Sequence, residues 1–272
     1  MTEKSSEITL PTPMKIRNSL DRFEIPRTIS TKLALVLLLV CLSVSSVPSV
    51  FGQQTLSKRY PAGKKVRVEL RNISGTIVVE SWNRDEIKLS ATLESPKANV
   101  SPRQTGDALI VDVMADNRGR SDIGDVNFKL MVPVNSSVDL ETKRGQISVT
   151  NLRGESVRAH VSLEGDIELV NIGALKVFAQ NTTGNIFFDG EFARGGNYRF
   201  QSNKGDITIR IPADSAFNLV AAAPNRRILL GEFWNNGLKN LGDGRKVTGD
   251  VRDGRSSVAV TNFQGSIMFH RR

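Results

Sequence analysis

One short phrase, glycine-polar-isoleucine-any-apolar, recurs along this chain and constrains its fold more than any other feature. It reads GTIVV at Gly75, GQISV at Gly145, GDIEL at Gly165, GNIFF at Gly184, GDITI at Gly205 and GSIMF at Gly265. The four central copies stand 20, 19 and 21 residues apart; the outer two lie 70 and 60 residues away, near whole multiples of the same unit. Around the glycines apolar and polar residues alternate, as in Val138 and Leu140 before one turn and Ile147 and Val149 after it. That two-residue period belongs to strands with one buried face. A glycine fixed between two such strands supplies a positive φ or a close backbone approach, and the polar residue after it faces solvent. A unit of about 20 residues is too small to bury its own apolar face, whereas stacked neighbours bury it for one another. The spacing therefore predicts an all-β chain built as a β-solenoid, a β-helix-like stack, with Ile147, Ile167, Ile186 and Ile207 as one buried ladder. A β-sandwich is the alternative that the same alternation permits.

Ahead of the repeats, Lys32 precedes an apolar run from Leu33 to Leu42, followed by small residues, Pro48 and Val50-Phe51-Gly52. This is the layout of a secretory signal, and the run falls short of the roughly 20 residues that span a bilayer. Residues 1–52 are read as signal peptide and leader, with Met14 an alternative start, and 53–272 as one β-repeat domain. Export through that signal would deliver the chain to the periplasm, the cell surface or the medium. Cys41, the one cysteine, lies in the leader, so neither a disulfide framework nor a cysteine-built metal site is expected. Cleavage after Gly52 leaves 31 basic and 24 acidic side chains, a net charge of +7.

Most of that surplus lies at one end. Between Asn225 and Arg272 there are nine basic and four acidic residues, a net +5, and the segment 225–257 is rich in turn residues around Phe233 and Trp234. Arg226, Arg227, Arg245 and Lys246, with Trp234 as an interfacial anchor, are candidate contacts for an anionic envelope polysaccharide or lipid surface. Another envelope protein docking on exposed sheet edges is a further partner class. Export argues against nucleic acid, and no small-molecule substrate is indicated. The residues after the repeat glycines, Thr76, Gln146, Asp166, Asn185, Asp206 and Ser266, should form a column along one edge. Asp166 and Asp206, two units apart, would stand about 9.6 Å from each other, too far to share a calcium ion. They read as solvated turn chemistry. His160 and His270 are the only histidines. Counting back from Gly165 puts His160 in the core column of Leu140, Ala179 and Phe200, whereas the alternation of Ala159, Val161 and Leu163 points it to solvent. No catalytic, metal or cofactor residues are indicated.

The phrases VPVNSSVDLETKRGQISVTNLRGESV (Val132 to Val157) and FQSNKGDITIRIPADSAFNL (Phe200 to Leu219) resemble the bacterial putative adhesin family, whose recurring phrase is apolar-x-apolar-x-Thr-x-x-Gly-x-Ile-x-apolar. VELRNISGTIVVESWNRDEIKLSATLE (Val68 to Glu94) and VAVTNFQGSIMFH (Val258 to His270) look like its first and last units. The chain departs at Ser162 and Ser202, where threonine is commoner, and at the 11-residue interval from Gly154 to Gly165, read as a small insertion. The resemblance implies an exported, non-enzymatic adhesin-like surface or periplasmic module. A polysaccharide-active enzyme on a β-helix and an envelope scaffold are the alternatives.

Overall fold

The computed structural model describes residues 54–95, 98–115 and 124–272. The expected signal peptide, leader and cleavage point lie outside the described residues. The described part is all-β, with no α-helix among the described residues, and its strands form two large open sheets of ten and eleven strands. The N-terminal strands are β1 (Gln54–Pro61), β2 (Arg67–Arg71), β3 (Ile77–Trp82), β4 (Glu86–Leu93), β5 (Ala98–Thr105), β6 (Ala108–Ala115) and β7 (Val126–Pro133). The middle runs through β8 (Ser137–Arg144), β9 (Ile147–Thr150), β10 (Ser156–Glu164), β11 (Ile167–Ile172), β12 (Lys176–Thr183), β13 (Ile186–Gly190), β14 (Asn197–Lys204) and β15 (Ile207–Ile211). After these come β16 (Phe217–Ala222), β17 (Ile228–Leu229), a single 3-10 turn at Gly231–Phe233, β18 (Leu238–Leu241), β19 (Lys246–Val251), β20 (Ser257–Asn262) and β21 (Ile267–Arg271).

From β8 to β15 the chain passes from one sheet to the other at every strand, and each strand pairs in parallel with the one two places on. One strand from each sheet makes a rung. Rungs superpose residue on residue: Ile77, Ile147, Ile167, Ile186, Ile207 and Ile267 are successive partners, and each is at most 1% exposed. The ladder is thus two residues longer than the spacing of the central copies predicts.

The ends differ from the expected order. Strand order in the first sheet is β1-β4-β7-β3-β9-β11-β13-β15-β21-β17, and in the second β18-β19-β16-β20-β14-β12-β10-β8-β2-β6-β5. Gly75 and Gly145 are therefore on adjacent rungs, as are Gly205 and Gly265, and the 70- and 60-residue intervals are excursions, not stacks of missing units. The β2–β3 rung, first in sequence, sits between β6–β7 and β8–β9. The β20–β21 rung, last of the repeats, sits between β14–β15 and β16–β17. Sequence spacing counts residues along the chain and is silent on which side of the stack an excursion is laid.

The repeat glycine is demanded by contact between rungs. Gly165 has φ +151°, and a Cβ there would stand 2.0 Å from the Gly145 carbonyl oxygen. At Gly265 a Cβ would come within 1.8 Å of the Gly205 oxygen. Just inside the turn lies a buried polar column that satisfies the carbonyls of Gly165, Gly184 and Gly205. Asn181 Nδ2 donates to the Gly165 oxygen at 3.1 Å, Ser202 Oγ to the Gly184 oxygen at 3.3 Å and Asn262 Nδ2 to the Gly205 oxygen at 2.7 Å. Buried carbonyls left without such partners would cost roughly 1–3 kcal/mol each.

Strand β10 carries a bulge between Val161 and Glu164, one residue longer than its neighbours β8 and β12. Val161, not Ser162, is consequently the partner of Thr142 and Asn181 in the polar column. Ala159, not His160, joins Leu140, Ala179 and Phe200 in the core. The insertion expected between Gly154 and Gly165 is this bulge, and counting back across it misplaces His160 by one residue.

Two measurements test this account. Gly165→Val should lower stability by more than about 1 kcal/mol, because the new side chain meets both an unfavourable φ and a backbone oxygen; an unchanged denaturation midpoint would contradict it. Ile167→Ala should cost about 2–5 kcal/mol, as truncation of a fully buried aliphatic does.

Candidate functional site

The column after the glycines is knitted together by its own hydrogen bonds. Asp166 Oδ1 accepts from the Asn185 backbone N–H at 2.7 Å, Asn185 Oδ1 from Asp206 N–H at 2.9 Å, and Asp206 Oδ1 from Ser266 N–H at 2.8 Å. Each side chain bridges to the backbone of the next rung, so these oxygens serve the turn. Among the described residues no group of three or more His, Cys, Asp and Glu is placed to hold a metal ion. His160 stands half-buried on the outer face of the second sheet, with Nδ1 3.7 Å from Glu141 Oε1, and His270 is exposed on β21.

At the C-terminal end the backbone gathers the predicted basic residues around one corner. The Ala223 N–H donates to the Arg245 oxygen at 2.7 Å and the Ile228 N–H to the Gly244 oxygen at 3.1 Å, which lays the 224–227 turn beside the 242–246 turn. Arg226, Arg227, Arg245 and Lys246 are all exposed there, and among the described residues none has a carboxylate within 4.0 Å. Among the described residues no hydrogen bond or cation-π contact links Trp234 to them. It follows the 3-10 turn that packs Phe233 against Phe269, near Arg271 and Glu232 at the far end of β21, and is 51% exposed. Between the basic residues and Trp234 the short β17 and the 3-10 turn run alongside β21, from Ile267 toward Arg271.

A broad recess lies at the opposite corner, where the chain enters the second sheet. It is a groove of about 930 Å³ that continues into one of about 420 Å³ on the outer face of that sheet, the two sharing Arg67, Ser137, Ser156 and Lys176. Its base is a pile of short connections held rung to rung. Arg153 N–H donates to the Val134 oxygen at 2.8 Å, Gly173 N–H to the Leu152 oxygen at 2.9 Å, and Asn197 N–H to the Leu175 oxygen at 2.8 Å. The β5–β6 hairpin contributes Thr105, Asp107 and Ala108 at one end. Gly154 lets the Arg153 connection lie close, since a Cβ there would overlap the Ser136 oxygen at 1.8 Å. The Arg153 guanidinium lies over Gly173, whose Cβ would stand 3.1 Å from Nη1.

Six cations line the combined groove, Lys65, Arg67, Arg153, Arg158, Lys176 and Arg199, against three acids, Asp107, Asp139 and Glu155, a local net of +3. Arg158 pairs with Asp139 at 3.0 Å and its Cζ lies 5.5 Å from the Phe178 ring centroid. Lys176 Nζ donates to Glu155 Oε1 at 2.8 Å. Sequence reasoning missed this set because its members are scattered from 65 to 199 and come together only when rungs stack in register. The register itself carried the available signal: Arg158, Phe178 and Arg199 follow one another at intervals of 20 and 21 residues.

No family model matches the chain, and no curated protein does. Among solved structures it is similar to a "putative cell adhesion protein" from Clostridium sporogenes, 10% identical over 81% of this chain and 100% of that one, with a TM-score of 0.45. It is also similar to a "putative adhesin" from Bacteroides fragilis (11% identity, 80% and 98% coverage, TM-score 0.42). A third likeness is to a "putative lipid binding protein" from Parabacteroides distasonis (11%, 79% and 94%, TM-score 0.34). No helix among the described residues is long and apolar enough to cross a membrane.

The Lys176 ammonium, by its hydrogen bond and then its charge, and more weakly Lys65, holds the Glu155 carboxyl below the usual range for glutamate. A carboxyl depressed on folding contributes stability above its unfolded pKa and loses it as pH falls through the folded value. NMR titration should therefore show Glu155 ionising below an ordinary glutamate, and Lys176→Gln should raise its midpoint; an unmoved midpoint would mean that the pair is not formed in solution.

Proposed function

We propose that this protein is a non-enzymatic, adhesin-type interaction module of the cell envelope, built as a β-solenoid, that holds anionic envelope polymer by its exposed cations. The solenoid reading is supported by the passage of the chain from sheet to sheet at each strand and by parallel pairing in a 19- to 21-residue register. The observation that carries the function is the C-terminal corner: four cations that arrive from two separate turns, all exposed, none neutralised by a nearby carboxylate among the described residues. Like charges gathered without partners raise the local potential and attract polyanions. They add nothing to the packing of the core. A polymer spanning many such contacts is held by their sum, with each contact weak and screened by salt.

The quadruple variant R226Q/R227Q/R245Q/K246Q should keep the parent's melting curve, since exposed charges contribute little stability. Its retention on immobilised polyphosphate at low salt should fall, and the parent's own retention should fade as ionic strength brings the Debye length to about 8 Å. Retention of the variant equal to the parent's, or none of either, would overturn the reading.

A further inference from the structure

The groove at the opposite corner differs from the C-terminal corner in the feature that selects a ligand: it mixes signs. We propose that it is the glycan-selective site of the protein and takes an acidic polysaccharide, sugars bearing carboxylates, laid across the rungs; this rests on the envelope-polymer reading above.

The spacing of charge comes first. Strands in a sheet stand about 4.8 Å apart, so Arg158 and Arg199, in one row two strands apart, are separated by about 9.6 Å. Arg67 and Lys176, three strands apart in the neighbouring row, are separated by about 14 Å. Cations recurring at such intervals match a chain with sparse charge, not a nucleic-acid strand with one charge per about 3.4 Å. The acids exclude dense polyanions further. Asp107, Asp139 and Glu155 would repel closely spaced phosphates, yet each offers acceptors to sugar hydroxyls. Between the charges the lining is hydroxyl and amide: Ser137, Ser156, Asn135 and Asn197, groups that donate and accept and so suit hydroxyls on a sugar ring. Phe178 adds a half-buried aromatic ring on the same face, next to Arg199 on the adjoining strand. Lys65, Arg153 and Arg199 have no carboxylate within 4.0 Å among the described residues, which leaves three cations open to a ligand's carboxylates.

Because those three cations are not ion-paired there, removing them strands no acid, and the variant K65Q/R153Q/R199Q is the probe. The intact protein is compared on alginate, neutral dextran and polyphosphate. The expected result is that the parent binds alginate, that the triple variant loses at least about tenfold in alginate affinity while its polyphosphate retention is unchanged, and that R226Q/R227Q/R245Q/K246Q shows the converse. Hydrogen exchange on the parent needs no variant: alginate fragments should protect amides in 153–158 and 176–178, not those in 224–227. Unchanged alginate affinity in the triple variant, an equal loss on alginate and polyphosphate, or protection confined to the C-terminal turns would overturn the inference. A parent that binds polyphosphate but not alginate overturns it and leaves the envelope-polymer reading standing. A parent that binds neither overturns both.

Discussion

Everything in this fold depends on how closely two backbones approach at one corner. At five turns into the first sheet, from Gly145 to Gly265, the carbonyl oxygen of one repeat glycine points at the α-carbon of the next, with no space for a Cβ. That contact sets the axial position of each rung, and the axial position sets the register. In-register rungs put isoleucine over isoleucine, so a single backbone contact becomes a continuous buried ladder. Asn181, Ser202 and Asn262 complete the corner by capping the inward-facing oxygens, which would otherwise be desolvated without a partner.

The same contact explains what could be read from the sequence. Glycine and the alternation around it are local, so the strands, the buried ladder and the solvent-facing column all have a signature within a few residues. Where the structure departs from local rule the signature fails. His160 was ambiguous because a bulge shifts every side chain upstream of it by one, and alternation and distance from Gly165 then disagree. The positions of the β2–β3 and β20–β21 rungs are set by which open edge a returning strand meets, a choice with no local trace. The groove was equally hidden, since Lys65, Arg153 and Arg199 share no motif and become neighbours only through register.

Stacking also divides the labour of the surface. Side chains pointing inward are mostly apolar, the polar column at the turn apart, whereas those pointing outward form rows in which each rung contributes one member. A row can therefore be varied one residue at a time with little effect on the core. The C-terminal corner shows one outcome of this freedom, cations with no carboxylate within 4.0 Å among the described residues, and the groove another, cations interleaved with acids and hydroxyls. Both lie at rims or on the outer face, where the turns and the first residues of strands are solvated.

The inward placement of the β20–β21 rung bears on how the chain reaches its final form. As the chain emerges from its N-terminus, β14 and β15 are laid down with their outer edges open, and β16 and β17 follow without the strands that separate them from the stack. The sheets are continuous only after β20 and β21 arrive, some 50 residues behind β15 in sequence. Pairings of such long separation form slowly, because the loop must close before any contact repays it. Vectorial folding, rung after rung, is thus blocked at this end until β20 and β21 are in place.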